Sequence, residues 1–539
     1  MIPSPDSRGK MHGMRWMTRA LAFTAVTVVS TAGNAETFDF DGTFVPVDTG
    51  SYLELELEVP EGTSEVRASY SYVTNGDTGG LISNVVDLGI SDPDGFRGWT
   101  GSSEREVTVA LTDELTSEGY IPGPIPAGIW VLELGAGFVA TDTTISWEAT
   151  VETVEGTGDA FEPPEWEPVV LGGPGWYAGD LHCHSEHSDG RYTVEDVVAF
   201  ARERGLQFLA LTDHNTFTGH FELPEIQADD DAMLLVRGME WTSYIGHANV
   251  YGISRYLDYH ATTEGHENGS VVETVHEAGG FFSVNHPELP GTEVEGIRVS
   301  LGWEVEDTDW SSVDFIEVVN GAATLPGGIS NPINEMAIAH WDRFLLEGHR
   351  ITAIGGSDDH LAGHGSTETD IFYAPIGTPT TVVQAEELSE AGILAGLRAG
   401  HAFLKAGGPD GPDLFLTATC GDAVAMMGDE IAGASCSVEA QAVGAGGMEL
   451  VVLEDGAITE YVPIGDGEED FTYTFELVPA DLSIVRVELR RSNLLQAMTN
   501  PVYLRFAEDE SVDSSNGCEC SVATCRDSTA SRLAQALVP

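Results

Sequence analysis

The chain has 539 residues and carries 88 Asp and Glu against 23 Lys and Arg, a formal net charge of −65. This length predicts two or three domains, and a hydrophobic content of 42% is enough to bury cores, which excludes global disorder. Only two lysines occur, Lys10 and Lys405. A chain with so few cations is a poor match for long nucleic acids or anionic membranes, and we expect neither as a partner.

The first 35 residues have the pattern of a secretory signal peptide. Arg15 and Arg19 precede a short apolar run that ends at Val29, and small residues lead on to Ala35. The apolar run falls well short of the ~20 residues that a membrane-spanning helix needs, so we expect cleavage rather than anchoring. The mature protein is then expected to be secreted, periplasmic or on the cell surface, with no membrane span.

Cysteines in such an oxidising compartment can pair. Cys420 and Cys436 lie in one predicted β region and are a plausible disulfide, although the sequence alone does not fix the pairing. Three further cysteines, Cys518, Cys520 and Cys525, lie in a polar tail over residues 506–539. We interpret this tail as a disordered or processed end, with a small metal knuckle as the less favoured alternative because no histidine accompanies the thiols.

Two flanking regions are predicted to be β domains. Residues 36–165 contain short alternating runs such as Tyr52–Val59, in which every second residue is apolar. This period of two is typical of an antiparallel β-sandwich. Residues 406–505 show similar strand patterns and predict a second β domain, while the acidic, proline-containing stretch 156–168 predicts a linker.

Strand and helix patterns alternate between these flanks, over residues 172–405. Thr193 is a predicted N-cap for a helix that ends at Gly205, and the strand pattern 207–212 follows at once. A helix between Ser270 and Gly279 precedes strand 281–284, and a helix over 334–347 precedes strand 351–354. This recurrence predicts βα units and a mainly parallel sheet or barrel, with the chemistry at the carboxyl ends of the strands.

Fourteen of the 16 histidines lie between His182 and His364, several of them at predicted strand ends. His182 and His184 are two residues apart, so on a strand they point the same way, while Cys183 points into the packing as a buried thiol. Two imidazoles on one side can chelate one ion, although a lone His-x-His is a weak signal. Asp189 follows in a turn-like sequence, where turn chemistry is an equally good explanation.

Four more strand ends carry residues of the same kind. Each could be an ordinary polar residue near a loop, but five such ends in one alternating βα region favour a multinuclear metal centre. A buried acid such as Glu240 needs a cation or another partner to offset its desolvation, and Asp213 is expected to orient a neighbouring imidazole. The candidates at these ends are Asp213 and His214, Glu240 with the nearby His247, His286, and Asp358 with His360.

These motifs, in this order, resemble the PHP family, named for polymerase and histidinol phosphatase domains, over about residues 172–405. The stretch Gly246–Gly252 and the trailing β region resemble its carbaryl-hydrolase-like branch. The resemblance implies an α/β fold, a distorted (β/α)7 barrel between two β-sandwich-like domains, that holds two or three divalent ions.

The resemblance also implies three sets of ligands. The first set is His182, His184, Glu240 and Asp358. Glu240 would bridge to a second ion held by His247 and His286, and Asp189, His214 and His360 would hold a third. Mixed imidazole and carboxylate ligands suit zinc, manganese or iron. Glu240, Asp213 and His360 are the residues that we expect to contribute directly to catalysis.

Such a centre predicts a hydrolase that uses a metal-bound hydroxide on a small ester or phosphoester. A phosphoesterase is favoured because clustered dications complement phosphoryl oxygens, and 5'-3' exonuclease-like action on short oligonucleotides is included. The first alternative is hydrolysis of carboxyl esters or carbamates. The second is a surface-binding protein with structural metals, although structural sites are more often closed and rich in thiolates.

Overall fold

The structure is a computed structural model that describes residues 24–30, 36–76, 83–229, 232–260, 268–305 and 308–507. The predicted signal segment, residues 1–35, lies outside the described residues apart from the strand at 24–30, and so does the cysteine-containing tail beyond residue 507. In the part of the chain that is described, no helix has the length and apolarity required to cross a bilayer.

The N-terminal region folds as two antiparallel sheets with a shared core. In β3, Leu53, Leu55 and Leu57 point into this core while the glutamates between them are exposed, as the alternating sequence predicts. One sheet has the order β1-β2-β9-β4-β7 and the other β3-β8-β5-β6. The strands are β1 (Thr24–Ser30), β2 (Glu36–Phe44), β3 (Ser51–Val59), β4 (Thr63–Gly76), β5 (Val85–Asp92), β6 (Gly95–Gly101), β7 (Glu106–Ala110), β8 (Gly128–Phe138) and β9 (Thr143–Glu155), with 3-10 turns at Pro46–Asp48 and Asp113–Leu115.

The central region contains the five α-helices of the described residues and a long mixed sheet. The Thr193 side chain caps the first helix by accepting a hydrogen bond from Asp196 N, as predicted. The helices are α1 (Val194–Glu203), α2 (Leu223–Asp229), α3 (Asn268–Glu277), α4 (Pro332–Leu346) and α5 (Glu390–Arg398), with a 3-10 turn at Thr218–Phe221. The strands are β10 (Gly175–Asp180), β11 (Phe208–Leu211), β12 (Leu234–Ser243), β13 (Gly246–Tyr251), β14 (Phe281–Val284), β15 (Thr292–Val294), β16 (Ile297–Val299), β17 (Phe315–Asn320), β18 (Thr324–Leu325), β19 (Ile329–Ser330), β20 (Thr352–Gly356), β21 (Thr380–Ala385) and β22 (Ala402–Lys405).

The mixed α/β class with several domains is confirmed, but a (β/α)7 barrel is not shown. The central strands lie in the order β20-β17-β14-β13-β12-β11-β10-β21-β22. β10, β11 and β12 are parallel, and so are β14, β17 and β20. Between them, β13 runs antiparallel to both neighbours, because the short turn at 244–245 returns the chain at once and leaves no room for a helix.

The C-terminal β region continues the central sheet, because β31 pairs with β22. A second sheet, in the order β24-β23-β26-β29, shares a buried core with it. The predicted disulfide is confirmed: Cys420 of β23 is bonded to Cys436 of β26. The strands are β23 (Asp413–Cys420), β24 (Ala423–Met426), β25 (Glu430–Gly433), β26 (Cys436–Val443), β27 (Glu449–Glu454), β28 (Ala457–Pro463), β29 (Asp470–Leu477), β30 (Ser483–Arg491), β31 (Leu494–Thr499) and β32 (Val502–Phe506).

Candidate metal centre

The segments that follow β10, β11 and β20 are hydrogen-bonded to one another and to β12, inside which Glu240 lies. Asp358 N donates to His182 O at 2.8 Å, and His184 N donates to Asp359 O at 3.0 Å. In the same way, Glu240 N donates to Asp213 O at 3.1 Å. The first two of these backbone bonds join residues that are more than 170 positions apart in the sequence, so the predicted ligands meet at one edge of the sheet.

The alternation along the first of these segments is as predicted. The side chains of His182 and His184 are fully buried and their ring centroids lie 5.1 Å apart. Cys183 points away from them, and its thiol donates to Ala210 O at 3.4 Å within an apolar cluster. Burial raises the pKa of this thiol well above its usual value, so it stays protonated. Cys183 is therefore an inert core residue.

Glu240 is fully buried at the middle of the histidine cluster. One of its oxygens, Oε2, lies 2.8 Å from His214 Nδ1 and 3.4 Å from His182 Nε2. Each of its two oxygens faces ring nitrogens, and together they lie within 3.5 Å of five imidazoles: His182, His184, His214, His247 and His286. Asn285 Nδ2 also donates to Glu240 Oε1, at 2.9 Å.

Two atoms at the middle of this cluster fit a bound cation. Within the described chain, Glu240 Oε2 and His182 Nε2 are buried and make no hydrogen bond, because the nearby His214 Nδ1 is paired with Thr242 Oγ1; leaving such an atom unsatisfied costs about 1–3 kcal/mol. Their separation of 3.4 Å is the spacing expected of two ligands that share one ion at about 2.0–2.1 Å. The residues present therefore fit a divalent metal ion.

The ligand atoms of the centre fall into overlapping groups in which all atoms lie within 4.8 Å of one another. The predicted third set is brought together, with His184 added to it. In the predicted second set, His247 Nδ1 and His286 Nε2 both face Glu240 Oε1, at 3.1 and 3.3 Å, although these two histidines fall into different groups. The groups are His182 with His184 and Glu240; His182 with His286 and Asp358; His214 with Glu240 and His247; and His184 with Asp189, His214 and His360.

The last group lies at the solvent edge of the centre. The side chain of Asp189 is 45% exposed and that of His360 is 30% exposed, and their Oδ1 and Nε2 atoms are 3.1 Å apart. The ring of His360 stacks on that of His184, with centroids 4.0 Å apart. Water competes better for an ion at such an exposed position, so an ion held here would bind more weakly than one beside Glu240.

The histidines of the centre lower the pKa of its two buried carboxyl groups. Burial alone would raise the pKa of Glu240, but the imidazoles of His214 and His182 hold it well below its usual range. Burial likewise opposes the charge on Asp358, and His182 keeps the pKa of that carboxyl low. Both carboxylates are therefore ionised, the form that binds a cation.

Two of the candidate ligands adopt a backbone conformation that is rare outside glycine. His286 has φ of +26° and Asp358 has φ of +56°. Such positions cost on the order of 1–3 kcal/mol and persist only where the surrounding structure holds them. The strain aims both side chains at the centre, where His286 Nε2 lies 3.9 Å from Asp358 Oδ2.

Sequence reasoning missed Glu317, which lies fully buried in β17. Its Oε1 is 2.8 Å from His182 Nδ1, and its Oε2 accepts hydrogen bonds from His286 N and Asn320 Nδ2, both at 3.0 Å. A carboxylate on the far nitrogen of a ligating histidine fixes the tautomer that leaves Nε2 free for a metal. The signal was present in the sequence, because an acid inside the apolar run 315–319 needs a partner just as Glu240 does.

Asp213 does not have the expected contact with an imidazole among the described residues. Its carboxylate accepts hydrogen bonds from Ser185 N, from Ser185 Oγ and from Ser188 Oγ, at 2.7–2.8 Å. Asp213 therefore holds the loop that joins His184 to Asp189, and Glu317 occupies the orienting role.

Comparison with known proteins agrees with this site. The model of the PHP domain family matches residues 180–283, which include three of the five groups of candidate ligands predicted from the sequence and end before His286. The chain therefore contains a PHP domain, as the sequence motifs indicate. The more specific resemblance to the carbaryl-hydrolase-like branch stays a prediction.

Individual relatives are distant. The chain is 25% identical over 210 residues to a 5'-3' exoribonuclease of Haemophilus influenzae, a match that covers 38% of this chain and 64% of that protein. It is 25% identical over 152 residues to an uncharacterized protein of Methanocaldococcus jannaschii, covering 26% of this chain and 80% of that protein. A Bacteroides vulgatus crystal structure, described as a two-domain protein containing a predicted PHP-like metal-dependent phosphoesterase, is 18% identical and covers 64% of this chain and 99% of its own, with a TM-score of 0.32. This last score is too low to show a shared overall architecture.

Proposed function

We propose that this chain is an exported, metal-dependent hydrolase that cuts an ester bond, with phosphate esters as the favoured substrates. The observation that carries the proposal is Glu240, a fully buried carboxylate within 3.5 Å of five imidazole nitrogens and with one oxygen left without a hydrogen bond in the described structure. The PHP match over residues 180–283 supports it.

The residues of this chain divide the work between holding ions and orienting the holders. Glu240, His182 and Asp358 would hold the inner ions, and Glu317 keeps the proton of His182 on Nδ1 so that Nε2 faces the centre. Divalent ions, when bound in such a centre, lower the pKa of water and polarise an ester oxygen. Burial of the inner ligands excludes bulk water and so strengthens their interaction with the charge that develops during hydrolysis.

The ester could be a phosphate monoester, a phosphate diester or the end of a short oligonucleotide. The last is supported only by the distant match to an exoribonuclease, and the net charge of −65 opposes binding of a long polyanion. Hydrolysis of carboxyl esters or carbamates is the second candidate. It is favoured by a cavity beside the ligands whose described lining contains neither Arg nor Lys.

The test is a substrate panel on purified full-length protein loaded with Mn²⁺, Zn²⁺ or Fe²⁺, preceded by elemental analysis. The panel contains a phosphate monoester, a phosphate diester, a short oligonucleotide, an aryl ester and a carbamate. We expect turnover that Glu240→Gln lowers by at least about 10³-fold, since the variant loses the charge shared by the ions. The matched control is Glu54→Gln at an exposed position of β3, which should retain full activity.

Each outcome decides between the candidates. Turnover of carbamates or aryl esters alone would replace the phosphoesterase with the second candidate. A Glu240→Gln variant that folds and is as active as the unaltered protein would refute the proposed centre. Bound metal without turnover of any ester would instead favour a binding protein with structural ions.

A further inference from the structure

A cavity of about 520 Å³ adjoins the metal centre and is shared by two regions of the chain. On one side it reaches Asp189, His214 and His247, which belong to the groups of candidate metal ligands. The opposite side is formed by the N-terminal sandwich, through residues of β3, β5, β6 and β8 that include Tyr52, Trp99 and Phe138. The sandwich is therefore part of the surroundings of the centre.

The sandwich side of this cavity is packed firmly on the central region. Tyr52, Phe96 and Trp99 contact the same buried cluster that contains core residues of β12, β13 and β14. The ring of Tyr244, from the turn between β12 and β13, stacks on that of Tyr52 with centroids 4.9 Å apart. Side chains that share one core fix the position of the two regions relative to each other.

Hydrogen bonds and close backbone contacts hold the same interface. Tyr244 Oη donates to the buried carboxylate of Asp87, in β5, at 2.6 Å. A Cβ atom on Gly135 of β8 would lie only 2.1 Å from Tyr244 Oη, so the strand has a glycine where the tyrosine lies. Gly119 lies beside the loop that joins His184 to Asp189. It has φ of +83°, and a Cβ there would lie 2.4 Å from His187 O. Two glycines of the N-terminal region thus allow the close approach of Tyr244 and His187 from the central region.

The lining of the cavity is apolar or neutral except at two points. Rings and aliphatic groups from Tyr52, Trp99, Phe138, Val299 and Leu301 make up much of the wall, with serines and threonines between them. Among the described residues of the lining there is no Arg or Lys, and its two carboxyl groups are those of Asp189 and of Asp87, whose pKa burial raises to about 7.

The chemistry of this wall selects what can enter. An anionic group is attracted to the ions at one end of the cavity, but the described lining has no Arg or Lys that could balance a second negative charge, so the rest of a substrate is expected to be uncharged. A volume of about 520 Å³ is within the range of cavities that enclose a small organic group. Aromatic rings in particular pack well on the faces of Trp99 and Phe138.

We propose that the N-terminal sandwich forms the specificity wall of the active site, and that the cavity binds an uncharged aromatic or branched aliphatic group attached to the scissile ester. This inference rests on the proposed function, because it assumes that the ions hold the ester group. It assigns Trp99 and Phe138 as specificity-determining residues that contact the substrate but do not take part in bond cleavage.

The test compares two probes with the same head group, phenylphosphonate and methylphosphonate, by calorimetry on the Mn²⁺-loaded full chain. We expect phenylphosphonate to bind on the order of 10–100-fold more tightly, since only its ring buries apolar surface in the cavity. Trp99→Ala and Phe138→Ala should remove most of this preference while leaving the affinity for methylphosphonate within about twofold. Ile129→Ala, at a 49% exposed position of the same strand as Phe138, is the matched control and should keep the preference.

The outcomes separate this inference from the proposed function. Equal binding of the two probes, no binding of either, or a preference that survives both substitutions would overturn the specificity wall. If Trp99→Ala does not fold, Leu301→Ala replaces it, because this lining residue is 57% exposed and its truncation leaves the core intact. A ring preference in a protein that hydrolyses none of the esters would uphold the wall and refute the hydrolase.

Discussion

Two clusters of histidine and carboxylate in this chain look alike in composition and differ in whether their atoms are satisfied. In the metal centre, Glu240 Oε2 and His182 Nε2 are buried without a hydrogen bond in the described structure. In the other cluster, His187 lies between Glu118 and Glu222, and all three could in principle hold an ion. There, His187 Nδ1 pairs with Thr218 Oγ1 at 2.9 Å, and Nε2 pairs with Glu222 Oε1 at 2.6 Å.

The difference shows that ligand-type residues in proximity are not enough to define a metal site. His187 is 4% exposed, yet both of its nitrogens already have partners, so an ion would have to break hydrogen bonds to bind. The atoms around Glu240 gain partners when an ion binds. His187 is accordingly a structural residue.

The largest effect beyond Glu240 itself is expected at Glu317. Glu317→Gln keeps the shape of the side chain but removes the charge that holds the proton on His182 Nδ1. Metal affinity and activity should both fall by about 10–100-fold. Metal titration monitored by calorimetry checks this, with Glu54→Gln as the control. Unchanged affinity would show that the His182 tautomer does not depend on Glu317.

A smaller effect is expected at the solvent edge of the centre. Asp189→Asn removes the partly exposed carboxylate of the outer group and leaves the inner ligands in place. The most weakly held ion should lose about tenfold in affinity, while the inner ions remain after dialysis against a mild chelator. Elemental analysis before and after dialysis measures this. Loss of every ion from the variant would mean that the outer and inner groups do not bind independently.

A substitution in the cluster of Glu118, His187 and Glu222 should change the stability of the protein and not its metal content. Glu222→Gln weakens the hydrogen bond to His187 Nε2, and the free energy of unfolding should fall by about 1 kcal/mol. Thermal unfolding checks this, and a decrease in Tm of about 2–4 °C is expected for a domain of this size. Elemental analysis and turnover should be unchanged. A loss of bound metal in this variant would erase the distinction between the two clusters.

A third cluster of histidine and carboxylate, His260 with Asp258 and Glu133, favours the protonated form of the histidine. Burial lowers the pKa of His260, but hydrogen bonds to Asp258 and Glu133 outweigh it and raise the pKa to about 9. Because the folded-state pKa lies above the ordinary value of 6.5, the stabilisation is complete below pH 6.5, declines as the pH rises and is gone above about pH 9. The difference in unfolding free energy between the unaltered protein and His260→Gln should therefore shrink by about 1–3 kcal/mol between pH 6 and pH 9.5. A difference that does not depend on pH would contradict this.

Much of the site could be predicted from the sequence because most of its members follow strands, whereas Glu240 and His247 lie within β12 and β13. His182 and His184 share a side because residues two apart on an extended chain point the same way, and Glu240 stood out as an acid after an apolar strand. Glu317 escaped notice because no histidine or second acid accompanies it in its strand. The contacts of Asp213 could not be foreseen, since they depend on how the loop after His184 folds back.

The sequence by itself determined the strands, the α/β centre between two β regions and the kinds of side chain at the strand ends, because these depend on local periodicity and residue chemistry. Only the tertiary structure decided which ligands share an oxygen of Glu240, which histidines are already satisfied, and that the N-terminal sandwich encloses a cavity beside the centre. Those features depend on distances between residues that are remote in the chain. Such distances are fixed by packing across the whole molecule, which no local pattern records.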